Sequence, residues 1–195
     1  MTSIRFRSTF CVLTILICVA AIPPTASSNA IGDADRELFE YIHEDMQSKF
    51  LDKTMPTIGR MGESRNYGII CMFLCAFGDE KMAETGKLAA TAFAIGAPLG
   101  HALRRMTNRS RPLNPEDNNS FPSGHVVLAF NLATIGSYEY PKLGIPLYTL
   151  AFGTAFSRVY LGRHYPGDVI VGALTGVLAS IITIRYKEPV LKFTF

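Results

Sequence analysis

Five apolar stretches, at residues 67–77, 88–103, 126–137, 143–156 and 169–184, follow one another along this chain with polar connections between them. Runs of this length are too long for ordinary strands and read as helices, so the chain has an all-α future with about five core helices. Each is short against the roughly 20 residues that cross a bilayer, so length alone admits a soluble helical core as well as a membrane bundle. The connections decide between them. With the N-terminus cytoplasmic and the sides alternating, the cytoplasmic segments hold Arg5 and Arg7, then Lys81 and Lys87, then Lys142, then Arg185, Lys187 and Lys192. Every one is basic, as the positive-inside bias expects. The sequence therefore predicts a membrane-embedded, multi-pass bundle, with the loops 104–122 and 157–168 on the extracytoplasmic side. Gly96, Gly100, Gly136, Gly153, Gly172 and Gly176 would let its helices approach closely. Hydrophobic residues at 48% and charged residues at 18% agree with deep burial or lipid.

Ahead of the bundle, Arg5 and Arg7 precede an apolar run over 10–22, two prolines and a small-residue stretch over 25–30. That order reads as an export signal over 1–30, with a retained membrane anchor as the alternative. A single domain is expected over 31–195. Residues 33–61 place Leu38, Ile42, Met46 and Phe50 at helical spacing among charged neighbours, which predicts an amphipathic helix ended or bent by Pro56 and Gly59. The net charge of +3, or +1 without the first thirty residues, gives no basic stripe for nucleic acid. Cys71 and Cys75 sit in an apolar run and read as buried thiols rather than a disulfide or metal pair.

Three clusters carry chemistry. In the first, Arg104, Arg105, Arg109 and Arg111 fall within eight positions at the end of an apolar stretch. Guanidinium forks donate paired hydrogen bonds to phosphate, and several together neutralise a dianion. A basic flank at the lipid headgroups would look the same in isolation. The second is Pro122-Ser123-Gly124-His125. At a helix start, the N–H groups of Ser123 and Gly124 form an anion cradle, the Ser123 hydroxyl adds a donor and His125 stands in the first turn. The third joins Ser157-Arg158 to His164 and Asp168. A carboxylate holding one imidazole nitrogen leaves the other free to attack, and Asp168 is equally placed to cap the last helix.

In order, these clusters resemble the three-part signature of the type 2 phosphatidic acid phosphatase and vanadium haloperoxidase superfamily. Arg111-Pro112, Pro122-Ser123-Gly124-His125, Ser157-Arg158, His164 and Asp168 fill its specified positions at the right spacings, over a resemblance that covers residues 33–187. One position departs from it: Arg104 stands where the family has Lys. A planar fork there replaces a flexible point charge. Arg109 lies where many relatives also carry Arg.

The resemblance implies a metal-free phosphatase without cofactor. Arg104, Arg111, Arg158, Ser123 and Gly124 bind the phosphoryl oxygens. His164, oriented by Asp168, attacks phosphorus to give a phosphohistidine, and His125 protonates the leaving oxygen. Membrane embedding then implies a lipid phosphate substrate such as phosphatidate, phosphatidylglycerophosphate or a polyprenyl phosphate or pyrophosphate. The alternatives are a secreted soluble acid phosphatase of the same superfamily, a haloperoxidase holding vanadate, and a catalytically weak membrane phosphate-binding protein. His43 and His101 fall outside the pattern and read as ordinary residues, although His101 is one turn before Arg104.

Overall fold

The computed structural model describes residues 28–192, with helices and no strand among them. The export or anchor segment read over 1–30 lies outside the described residues apart from its last three positions. Contacts divide the chain into residues 1–36 and residues 37–195, and the bundle belongs to the second unit. The described helices are α1 (Ser28–Glu40), which crosses the boundary between the two units, and, within the second unit, α2 (Lys49–Arg60), α3 (Ser64–Phe77), α4 (Glu80–Thr107), α5 (Gly124–Glu139), α6 (Gly144–Tyr160), α7 (Pro166–Arg185) and α8 (Lys187–Lys192). The expected bundle of five core helices is α3 to α7.

Helix α5 is the axis of the bundle because it is apolar around its whole circumference, a pattern that only a surrounded helix can satisfy. On one side Val126, Phe130 and Ala133 meet Ala151, Ala155 and Val159 of α6 and Val169 of α7. On the other, Leu128 and Ile135 meet Tyr67 and Cys71 of α3 and Leu88, Ala89 and Ala92 of α4. A Cβ added at Gly176 would stand 2.3 Å from the Val127 carbonyl oxygen, so α7 reaches the α5 backbone only because that position has no side chain. Asn131, fully buried on α5, lies 2.6 Å from the Tyr67 hydroxyl, which is also 2.6 Å from the Ala89 carbonyl. One hydroxyl proton cannot serve two acceptors. Turning the Asn131 amide over lets its buried, unpaired Nδ2 donate to Tyr67, and Tyr67 to Ala89.

Helix α4 begins earlier and ends later than its apolar run suggests. The Asp79 carboxylate caps its start by accepting from the Met82 N–H at 2.8 Å, and Asn108, at φ 47°, closes it in the left-handed region. Arg104 and Arg105 therefore sit on its last turn, not in a loop.

The single amphipathic helix expected over 33–61 is instead two helices separated by a π turn (Tyr41–Asp45) and a break before Ser48, which caps α2 through the Leu51 N–H. Pro56 lies inside α2 and does not end it. On this segment Phe39 is buried at 6% exposure, while Leu38 and Phe50, on the expected apolar stripe, stay outside at 47% and 74%. Cys71 is buried as expected, but Cys75 is exposed.

Outward faces of the bundle are hydrocarbon, with Phe73, Phe77, Ile145, Phe152 and Ile170 all more than half exposed. A surface of this kind is consistent with a body embedded in lipid. Helix α7 is the one described helix long and apolar enough to cross a membrane by length and composition.

Candidate active site

The three clusters, which span residues 104–168 of the chain, meet at one end of the bundle. Packing and hydrogen bonds both hold them. A Cβ at Gly172 would lie 2.8 Å from the Ser123 carbonyl oxygen, so α7 abuts the turn that starts α5. The Ser123 N–H donates to the Asp168 carbonyl at 3.0 Å. This N–H, expected in the anion cradle, is therefore already used to join the second cluster to the third. The N–H groups of Gly124 and His125 open α5 and, like those of any first helical turn, have no acceptor within the helix. The Ser123 hydroxyl is fully buried with no hydrogen-bond partner. A buried donor in that state is costly unless something else binds it.

His164 stands in the short connection between α6 and α7 at 2% exposure. Its Nδ1 lies 2.7 Å from the Ser120 carbonyl oxygen. A carbonyl only accepts, so Nδ1 carries the proton and Nε2 keeps its lone pair. Burial, with the Arg111 guanidinium next and Arg158 and His125 behind it, pushes the imidazole down to about 3, although the Ser120 carbonyl pulls the other way. At neutral pH the ring is uncharged.

Asp168 was expected to orient His164 directly. Its Oδ2 is 4.0 Å from Nδ1, and the Ser120 carbonyl is nearer. The carboxylate instead accepts from the Ser120 hydroxyl at 2.5 Å, from the Tyr165 N–H at 2.9 Å and from Arg109 Nη1 at 2.8 Å. It acts on the ring through Ser120, and it also caps α7, the second role its sequence position allowed. Arg109 is further held over the Tyr165 ring, 4.2 Å from its centroid. Sequence reasoning missed Ser120 and Tyr165 as supports and placed Arg109 only in the arginine cluster, not on Asp168. The only available signals were the position of Ser120 beside the second cluster and the Arg that relatives share.

Arg111 and Arg158 are the guanidinium groups acting on both His164 and His125, with Arg163 added at His125. Arg111 is tied down by an ion pair to Asp117 at 2.8 Å and by Nη1 donating to the Arg163 carbonyl. The Asn119 side chain, and then Arg111, hold the Asp117 carboxyl below its usual range. Arg158 is half-buried with its Nε unpartnered. Arg104 lies beside Gly124, its Nη2 3.8 Å from where a Cβ would stand there and 3.5 Å from the Pro122 carbonyl, with a buried, unpartnered Nε. It lines a cavity of about 330 Å³ that also touches His125, Gly124, Ser64 and His101.

The turn between α2 and α3 covers His125. A Cβ at Gly62 would lie 2.6 Å from the His125 carbonyl oxygen, so this approach requires glycine. His43, outside the signature, has a structural position: its Nδ1 is 2.7 Å from the Tyr160 carbonyl and its ring stacks on Phe39.

The chain matches the model of the PAP2 superfamily over residues 107–191, a range that contains Arg111, His125, His164 and Asp168. It is 32% identical over 115 residues to the bacitracin transport permease protein BcrC of Bacillus licheniformis, covering 54% of this chain and 56% of that protein. The chain thus spans about half the length of that relative. With the undecaprenyl-diphosphatase BcrC of Bacillus subtilis it shares 30% identity over 131 residues, 63% of this chain and 68% of that one. The crystal structure of the first transmembrane PAP2 type phosphatidylglycerolphosphate phosphatase from Bacillus subtilis superposes with a TM-score of 0.68 at 26% identity, over 93% of this chain and 96% of that chain. Agreement in sequence over most of a relative and in fold over nearly the whole bundle leads to one assignment: this chain belongs to the PAP2 superfamily.

Proposed function

We propose that the chain is a membrane lipid phosphatase that cleaves a phosphate monoester or pyrophosphate through a phosphohistidine on His164. The observation that carries this reading is the Ser120 carbonyl on His164 Nδ1, because it leaves an uncharged ring with a bare Nε2 beside guanidinium groups. A nucleophile needs that lone pair, and an incoming phosphoryl dianion needs that positive charge. Arg104, Arg111 and Arg158, the Ser123 hydroxyl and the Gly124 N–H bind the phosphoryl oxygens. Nε2 forms a bond to phosphorus as the bond to the leaving oxygen breaks, and the leaving oxygen takes a proton from His125. Water then attacks the phosphohistidine, with His125 accepting its proton, and phosphate departs.

The names of the relatives support a lipid substrate, as does the apolar exterior of the bundle. A phosphate carried at headgroup level would reach the cluster end while its chains stay in lipid, and the basic opposite loops favour an extracytoplasmic site. Phosphate release by the detergent-solubilised protein from a panel of lipid phosphates and water-soluble esters, with His164→Ala as the blank, tests this. Release from lipids above the blank is expected. Release only from soluble esters would overturn the lipid reading, and release equal to the blank would overturn the phosphatase.

A further inference from the structure

The glycines of the bundle are of two kinds. At Gly62, Gly172 and Gly176 an added Cβ would stand 2.6, 2.8 and 2.3 Å from backbone carbonyl oxygens of neighbouring elements, so glycine is needed there for packing. Gly100 is different. It is buried in the interior of α4, where glycine is a weaker helix former than alanine. Yet a Cβ there would have no atom of another element nearer than Pro122 Cγ, at 4.0 Å. The close approach of helices expected at this glycine is therefore not what it provides. A buried position with nothing against it faces open space within the fold, and that space is the cavity of about 330 Å³ that Gly100 lines.

This cavity adjoins the reacting groups. Arg104, Gly124 and His125, assigned above to the phosphoryl oxygens and to the leaving-group proton, all border it, and Phe93, Val127 and Leu128 add hydrocarbon to its lining. A phosphate dianion is satisfied by guanidinium and N–H groups and gains nothing from those three side chains. The group carried on the leaving oxygen lies next to His125 as the proton passes. Where that group is hydrocarbon, burial against an apolar lining stabilises it. A side chain at position 100 would take room from it.

On the basis of the phosphatase reading above, we propose that Gly100 is a specificity-determining residue, whose missing side chain keeps open the room that the hydrocarbon-bearing leaving group of a lipid phosphate occupies beside His125. Glycine at this position weakens α4 and widens the site. Diacylglycerol and a prenyl alcohol share the required chemistry, and the two substrates of the test separate them.

The test measures phosphate release by the full chain in detergent from dioctanoyl phosphatidate and from farnesyl monophosphate. Inorganic phosphate, as a competitive inhibitor, reads the phosphoryl site alone. Gly100→Leu should lower kcat/KM at least about tenfold on the substrate that the native chain turns over, the loss expected when about two methylene groups are kept from burial. Gly100→Ala should lower it about threefold, as for about one methylene, with a melting midpoint no lower than that of the native chain. The inhibition constant of phosphate should stay within about twofold in both. Gly68→Ala is the control for a stiffer helix, because Gly68 lies inside α3 with nothing within 4 Å of an added Cβ. It should leave kcat/KM within about twofold. The substrate that suffers the larger loss identifies the leaving group held. Unchanged turnover in both Gly100 variants would overturn the proposal. So would a phosphate inhibition constant that rises as far as kcat/KM falls, because the room would then belong to the phosphate itself. Either result leaves the phosphatase reading intact, whereas no release by the native chain from either substrate would count against both.

Discussion

The two ends of the bundle treat positive charge in opposite ways. At the end away from the clusters, Lys187 of α8 binds Glu139 at 2.8 Å and Glu84 at 3.2 Å, and Lys81 lies over the Tyr140 ring at 4.6 Å. These two lysines are partnered from within the chain. At the cluster end Arg109 and Arg111 have carboxylate partners, but Arg104 and Arg158 have no ion pair among the described residues, and each keeps a buried Nε without a hydrogen bond. Half-buried charge left in this state stabilises nothing in the folded chain by itself. It favours an anion that arrives later, and that contrast separates a binding end from a structural one.

The largest expected effect is at His164, the proposed nucleophile. His164→Ala should lower turnover by about 10⁴-fold or more while the thermal unfolding midpoint moves by only a few degrees. Steady-state phosphate release and a melting curve on the same sample check it, and retained turnover would break the contrast between the ends. Arg158→Met should follow, with kcat/KM down about 10²-fold, because it removes charge stabilisation that no neighbour replaces. At the opposite end, Lys187→Met should leave kcat/KM within about twofold and lower unfolding stability by about 1–2 kcal/mol, since it strands the buried Glu139 carboxylate. If Lys187→Met changed turnover as much as Arg158→Met, the division into a binding end and a structural end would fail.

Smaller effects sharpen the comparison within the site. In Gly62→Ala the new methyl would meet the His125 carbonyl oxygen at 2.6 Å, a contact the backbone must relieve by moving. A loss of about tenfold in kcat with the protein still folded is expected, since misplacing a proton donor costs that order. The smallest signal is in pH. Because the His164 pKa is lowered to about 3, its ring protonates only far below neutrality, and Nε2 stays available as the pH falls through the usual imidazole range near 6.5. Imidazole ¹⁵N shifts of His164 should remain those of the Nδ1–H tautomer from pH 7.5 to 5. A protonation midpoint near 6.5 would contradict the burial and the arginine field described for it.

Much of the site was legible because phosphoryl chemistry demands particular residue types. Arg111, His125, Arg158 and His164 are costly beside apolar helices unless they act together, and the structure puts His125 and Arg158 in terminal helical turns and Arg111 and His164 in the adjoining connections. The supports were not legible. Ser120 and Arg109 reach Asp168 across 48 and 59 positions, and nothing local marks a serine as the group that fixes a distant imidazole. The direct His164–Asp168 pairing was a natural reading of an i, i+4 spacing, yet capping α7 drew the carboxylate to the Tyr165 N–H. His101 looked ordinary because only the fold reveals that its helix face borders a cavity. The fold shows the same division. Apolar runs marked the five core helices, while the π turn after α1 and the burial of Phe39 in place of Leu38 left no mark in the periodicity.

The most direct test of the central claim is to trap the phosphoryl enzyme. Rapid alkaline quenching during turnover of a ³²P-labelled lipid phosphate, followed by peptide mapping, should find label on the peptide holding His164, stable to base, labile to acid and absent from His164→Ala. Label on another residue, or full turnover with no label under conditions that make dephosphorylation slow, would contradict the account.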